Sequence, residues 1–294
     1  MNLRDLEYFL AVVELKNFSR AAERCFVSQP ALSSQIRKLE ETLEVKLFER
    51  SNRQVLVTDI GLRLAGHARA ILQEKQNMFE LARSVLNPLA GECKLGAFPT
   101  LASYLFPQVV SMIRTSLPDL RLILVEEKTH VLIEKLRVGD LDAAFLALPV
   151  EEDGLEGAEL FEDPFVVAVP AQHPMSQRNT IPQSHLRDAE LLLLEEGHCL
   201  RDQSLSVCHV AGANEFQDFR ATSLETLRQM VKAGSGITLF PTIAMEKDDA
   251  GIRYIPFEAP VPSRTIGLFW RKTTTRTILM NTLVETFQEL DRAV

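Results

Sequence analysis

The chain has 294 residues and a formal net charge of −8, with 46% hydrophobic and 24% charged residues. Those proportions are ordinary for a soluble globular protein and set aside disordered, collagen-like and disulfide-dense chains, while the length suits about two domains of ~150 residues. No apolar run approaches the ~18 residues of a membrane span, and Arg4, Asp5 and Glu7 precede any apolar stretch, which argues against a secretory leader. The expected location is cytoplasmic.

The charge is unevenly spread. Residues 1–90 carry 13 Lys and Arg against 11 Asp and Glu, net +2, and the remainder is net −10. Such asymmetry suggests separate partners for the two parts. The four cysteines, Cys25, Cys93, Cys199 and Cys208, are expected as reduced thiols in a cytosolic chain, unless one pair is redox-active.

Leu3, Leu6, Leu10 and Val13 stand at helical spacing over residues 3–15, and a second short helix is expected over 19–25, opened by Ser19. A third helix follows, with Ser28 as its cap and Pro30 in its first turn. Leu32, Ile36, Leu39 and Leu43 fall within about 60° of one another at 100° per residue and form its core stripe. Ser28, Gln29, Pro30, Ser33, Ser34, Arg37 and Lys38 start or face away from that stripe. Small polar residues at the start of an exposed helix suit base edges, and cations a turn later suit phosphates. Residues 46–57 read as a hairpin wing presenting Arg50 and Arg53 to the DNA backbone or minor groove. On spacing alone, a small helical bundle with a solvated charged face stands equally open.

Residues 58–86 contain no proline, and Leu64, Ala68, Ile71, Met78, Ala82 and Val85 repeat with heptad spacing, interrupted by Lys75. A lone helix cannot bury that stripe, so it is expected to pair with a second copy; packing on its own domain is the alternative.

The segments Phe18-Ser19-Arg20-Ala21-Ala22, Val27-Ser28-Gln29-Pro30-Ala31-Leu32-Ser33, Ile36-Arg37-Lys38-Leu39-Glu40 and Leu47-Phe48-Glu49-Arg50 resemble the LysR-type transcriptional regulators. The resemblance implies an α+β chain: a winged helix-turn-helix DNA-binding head at 1–58, a dimerising linker helix at 59–90, and a two-lobed α/β effector module at 91–294 akin to periplasmic binding proteins. Lobe I is expected at about 91–162 and 267–294, and lobe II at about 163–266.

Beyond a hinge at 88–91, strand and helix signals alternate. Strands are expected at 93–97, 120–125 and 142–148 around helices at 100–116 and 129–138, a series that implies a mostly parallel sheet. Strands at 165–169, 191–194, 219–223 and 237–240 and a helix at 224–233 follow, before a strand at 265–270 and a helix at 277–292. Two lobes leave a cleft suited to a small ligand. Ala233-Gly234-Ser235-Gly236 follows a helix and precedes a strand, so it ends the helix rather than cradling a phosphate. No hydrolase elbow, nucleotide-binding or His-Glu-x-x-His motif is present, and neither enzyme chemistry nor a cofactor is expected.

The informative segment runs from Glu195 to His209. If Cys199 opens a helix, the helix dipole, His198 and Arg201 favour its thiolate, whereas Glu195, Glu196 and Asp202 oppose it. Across nine helical residues Cys199 and Cys208 would lie on opposite faces, about 13.5 Å apart along the axis. A disulfide needs Cα atoms within roughly 7 Å, so bridging would require the helix to unwind, as a redox switch demands. Two unrelated core cysteines remain an alternative; a metal site built with His198 and His209 does not match usual zinc spacing.

His198-Cys199-Leu200-Arg201-Asp202-Gln203, the run from Phe219 to Arg228 and Gly234-Ser235-Gly236-Ile237-Thr238 are similar to the hydrogen-peroxide-sensing members of the same family. That similarity implies that Cys199 is the peroxidatic thiol and Cys208 the resolving one, with Thr100, Thr129, His198, Asp202 and Arg271 as the peroxide pocket. Simple capping is the alternative role for Thr100 and Thr129, and Arg271 could be an exposed strand-end charge. The implied partners are double-stranded promoter DNA, further copies of the chain in a dimer or tetramer, and hydrogen peroxide as signal. RNA polymerase and a glutaredoxin- or thioredoxin-type reductant complete them, with no metal and no membrane. A regulator answering to a metabolite in the cleft is the rival expectation.

Overall fold

The computed structural model describes residues 1–50, 55–84, 87–246 and 249–292. The chain divides into two compact units, Met1–Leu86 and Asn87–Val294.

In the first unit, α1 (Leu3–Leu15) is started by a reciprocal cap in which Asn2 Oδ1 accepts from Asp5 N and Asp5 Oδ2 accepts from Asn2 N. Helix α2 (Phe18–Arg24) is capped by Asn17, whose Oδ1 accepts from Ser19 N and Arg20 N, so the cap is Asn17 rather than Ser19. Helix α3 (Gln29–Leu43) has Ser28 as its cap and Pro30 in the first turn. Leu32, Ile36 and Leu39 are buried in the head core, and Leu43 packs at its edge. Glu40 is buried as well, its Oε1 accepting from Leu47 N at 2.9 Å, which fastens α3 to the start of the hairpin. Strands β1 (Phe48–Arg50) and β2 (Val55–Val57) pair antiparallel as the wing.

Helix α4 (Asp59–Ser84) divides the expected seam. Leu64, Ala65, Ala68 and Leu72 pack into the head core, whereas Ile71, Met78 and Phe79 are exposed, the last two at 73% and 56%. The polar interruption has a local partner, because Lys75 Nζ lies 2.8 Å from Glu7 Oε1 of α1. Val85 lies outside the described residues.

In the second unit, β3 (Gly91–Ala97), α5 (Pro99–Ser116), β4 (Leu120–Glu126), α6 (Thr129–Val138) and β5 (Ala143–Ala147) form the expected alternating series, with β3 parallel to both β4 and β5. The 16-residue β6 (Leu155–Pro170) follows, and its second half is the strand anticipated at 165–169. Lobe II continues with β7 (Glu190–Leu194), α7 (Cys199–Ala211), β8 (Asn214–Ala221), α8 (Leu224–Lys232), β9 (Thr238–Pro241) and β10 (Ile252–Pro256). The chain returns through β11 (Ser263–Arg271) and α9 (Thr277–Phe287).

The sheet is mixed rather than mostly parallel. Its order is β10-β6-β11-β5-β3-β4, with β9 also on β6, and β6, β9, β10 and β11 all pair antiparallel. The cause is the length of β6: its first half pairs with β11 beside lobe I and its second half with β9 and β10 in lobe II. Two separate cores result. One gathers α5, α6, β3, β5 and α9, and the other gathers α7, α8 and the strands around them. Gly234, at φ +82, follows α8 while Gly234 N and Ser235 N bond back to Val231 O and Met230 O, so this glycine does end a helix.

Candidate functional site

The chain leaves β7 at Leu194, and Gly197, at φ +88, turns it so that His198 stands at the N-cap of α7 and Cys199 is its first residue. Arg201 anchors that first turn. Its guanidinium donates to both carboxylate oxygens of Glu215 at 2.7 and 2.9 Å and to Leu194 O. Arg201 is therefore committed to Glu215 and is not the cation serving Cys199.

That cation is Arg264, which the sequence reading passed over. Arg264 and Asp163 face each other where β11 pairs with β6, both wholly buried, with Nε and Nη2 donating to Asp163 Oδ2 at 2.9 and 2.8 Å. Asp163 Oδ1 also accepts from Thr242 Oγ1 and Ile243 N. Arg264 Nη1 donates to Thr100 Oγ1 at 3.1 Å, and its guanidinium lies over the Phe98 ring. Thr100 is thereby buried against Arg264 and caps nothing: the cap of α5 is Phe98.

Cys199 is half-buried and packs against the lobe I core. Burial pushes its thiol up. Arg264, the Thr129 hydroxyl and Leu200 N–H pull the other way, and the Asp202 carboxylate adds to the rise. Thr129 opens α6 and does not cap it; its buried hydroxyl has no hydrogen-bond partner, and it lies close enough to Cys199 to pull that thiol down. His198 is buried too, with Nε2 3.8 Å from Glu195 Oε1. Burial and the Lys128 charge hold its imidazole below the usual range, against the pull of Glu195. Thr100, Tyr104, Lys128, Glu195 and His198 line one cleft of about 490 Å³ between the lobes.

Arg271 is not brought to this place. Its Nη1 donates to Leu136 O and Leu141 O, at the C-terminal end of α6, while Cys199 and Thr129 meet at the N-terminal end. Nor is it an exposed strand-end charge: it is buried. Its neighbour Trp270 hid this, because a charge at the end of a strand carries no mark of inward orientation.

Cys208 lies near the other end of α7, buried in the lobe II core, and burial pushes its thiol up to about 11. Both cysteines are free thiols. Since α7 runs unbroken from Cys199 to Ala211, the two are separated by about 13.5 Å along the axis. Among the described residues no group of three or more His, Cys, Asp or Glu could hold a metal ion.

On the first unit, Ser28, Gln29, Pro30, Ser34, Arg37 and Lys38 are exposed along the start and outer face of α3, and Ser33 is half-buried. Phe26, at the turn before α3, is 96% exposed at φ +54, an apolar feature beside this polar face that periodicity did not single out. Arg50 stands on β1, but its side chain, like all of Arg53, lies outside the described residues.

Residues 3–62 match the family of bacterial regulatory helix-turn-helix proteins of the lysR type, and residues 87–292 match the LysR substrate binding domain. A protein of Dickeya chrysanthemi named hydrogen peroxide-inducible genes activator is 46% identical over 273 residues, covering 92% of this chain and 90% of that protein. Full-length OxyR C199D from Pseudomonas aeruginosa superposes with a TM-score of 0.79 at 38% identity, covering 98% of this chain and 95% of the other. A mutant of Corynebacterium glutamicum OxyR, H2O2-bound, gives a TM-score of 0.69 at 33% identity, covering 99% and 93%.

Proposed function

The chain belongs to the LysR family of bacterial regulators, and on that premise we propose that it is a DNA-binding transcription factor, and not an enzyme, switched by hydrogen peroxide through Cys199 and Cys208. The observation that carries the reading is the unequal setting of the two thiols on one helix. Burial raises both thiols, but at Cys199 Arg264, Thr129 and Leu200 N–H oppose that rise, whereas Cys208 is buried among apolar side chains. Cys199 is therefore the nucleophile and Cys208 the resolving thiol.

In the first step the Cys199 thiolate attacks one peroxide oxygen. The S–O bond forms as the O–O bond breaks, and the departing hydroxide takes a proton and leaves as water. In the second step Cys208 sulfur attacks the sulfenic sulfur, forming the disulfide and releasing a second water. Closing that bond requires α7 to unwind, which withdraws Cys199 from the lobe I core and reorders the sensor. Thr129, Arg264 and, behind it, Thr100 form the polar wall of the pocket; buried neutral His198 and exposed Asp202 flank it.

The head is read as residues 1–58, the linker as 59–90 and the sensor as 91–294. Ser28, Gln29, Pro30, Ser33 and Ser34 face base edges, while Arg37, Lys38, Arg50 and Arg53 face phosphates or the minor groove of promoter DNA. The exposed Ile71, Met78 and Phe79 on α4 pair two copies, so that two α3 helices address two half-sites, and further contacts make a tetramer. A cytoplasmic setting, where a glutaredoxin- or thioredoxin-type protein reduces the disulfide, makes the switch reversible, and RNA polymerase is the partner that reads it. Footprinting on promoter DNA with and without peroxide tests the reading: the wild-type pattern changes and the Cys199→Ser pattern does not. A Cys199→Ser protein that still responded would move the signal to a small effector in the 490 Å³ cleft.

A further inference from the structure

Lys128 ends the connection from β4 to α6, on the lobe I side, as the N-cap residue of α6. Its side chain does not cap that helix. Instead Nζ reaches across to the loop that leads into α7, donating to Glu195 Oε1 at 2.7 Å and to Glu196 O at 3.1 Å. The next residue of that loop is Gly197, and a Cβ there would stand 3.2 Å from Lys128 Cδ and 3.5 Å from Nζ. Glycine thus lets the loop lie directly on the lysine stem, at a backbone angle that already favours it.

Each attachment point leads directly into the pocket. Thr129, directly after Lys128, carries the hydroxyl beside the Cys199 thiol; Cys199 follows Glu195 and Glu196 by a few residues, with His198 between them. Glu195 holds Lys128 on one side and lies 3.8 Å from His198 on the other. One lysine therefore fixes the hydroxyl and the sulfur relative to each other from both lobes.

We propose that Lys128 is a positioning residue for the redox switch: it holds Cys199 against Thr129 while the thiol is reduced and resists release of the loop when the sulfur must travel to Cys208. The proposal rests on the peroxide reading above. It predicts opposite effects on the two steps. Losing the tie loosens the pocket and slows oxidation of Cys199 to the sulfenic acid, and it frees the loop and speeds closure of the disulfide. A partly exposed ion pair of this kind sets a scale of about two- to five-fold for each.

Three full-length proteins test it: wild type, Lys128→Met and Lys128→Arg. Hydrogen exchange on the reduced proteins reads the tie without any peroxide, and amides 195–199 are expected to exchange faster in Lys128→Met, with Lys128→Arg close to wild type. Trapping of sulfenic acid with dimedone in a Cys208→Ser background reads the first step, and disulfide formation with Cys208 present reads the second. Slower trapping together with faster closure, both restored by arginine, supports the proposal. Unchanged exchange at 195–199, or two steps that move in the same direction, overturns it. If wild type forms no sulfenic acid at Cys199, the peroxide reading fails, and the exchange experiment still decides whether Lys128 holds the loop.

Discussion

Cys199 and Cys208 sit nine residues apart on one helix, yet they belong to different cores: Cys199 packs against lobe I and Cys208 is buried in lobe II. A side chain that bridges from its own helix to the opposite lobe cannot also reach the far end of that helix. Reduced packing and the disulfide are thus mutually exclusive, which is what makes oxidation a change of structure. Replacing Cys208 by serine leaves the first step intact and should accumulate sulfenic acid at Cys199, read as a dimedone adduct without a disulfide.

Oxidation should accelerate with pH. The Cys199 thiol is raised by burial, so at neutral pH only a small fraction is thiolate, and below the thiol pKa that fraction grows tenfold per pH unit. Stopped-flow oxidation of the Cys208→Ser protein between pH 6 and 8 should show this climb, and a flat profile would contradict the raised thiol. Linkage gives a second sign. Cys208 rises from 9.0 to about 11 in the folded state, so the stability it contributes is present below pH 9 and lost as pH rises to about 11. Cys208→Ala should flatten that alkaline loss.

Arg264→Met leaves Asp163 buried with its guanidinium partner removed. Removing one partner of a buried pair costs about 3–5 kcal/mol, so the urea midpoint should fall steeply. Arg264→Met combined with Asp163→Leu should recover part of the loss but not the oxidation rate, because Cys199 still lacks its cation. A rate unchanged in both variants would remove Arg264 from the pocket.

Head contacts separate by salt dependence. Lys38→Ala should weaken DNA binding for all sequences and lower the salt slope by about one. Ser34→Ala should relax base preference and leave the slope alone. Phe26→Ser, at a side chain 96% exposed, should leave head stability unchanged, and any loss of affinity then reports contact with DNA.

On α4, Met78→Glu together with Phe79→Glu should lower the sedimenting mass of the assembly by breaking the α4 pairing, without unfolding the head, because both side chains are exposed. Ala68→Glu, in the head core, should unfold the head instead. A Met78→Glu, Phe79→Glu protein with an unchanged sedimenting mass would place self-association elsewhere.

Local signals made much of this legible. The α3 core stripe, its Ser28 cap and the helix at 129–138 depend on neighbours within a turn or two, and the structure keeps them. What escaped depends on distant partners. The 16-residue β6 serves two lobes, so its opening, Leu-Glu-Gly-Ala-Glu, has no clean alternation. Lys75 looked like a flaw in a heptad because its partner Glu7 lies 68 positions away. Arg264 pairs with Asp163 101 positions earlier; its one trace in the sequence is a charge in alternation with the apolar Ile266 and Leu268 of β11. Asn17 took the cap from Ser19 because a cap is set by where the preceding turn ends.

The most direct test is mass spectrometry of the anaerobically reduced protein after one equivalent of hydrogen peroxide. The account predicts loss of two hydrogens, mapped by digestion to a peptide linking Cys199 to Cys208. A Cys199 that remains a free thiol at micromolar peroxide would contradict it.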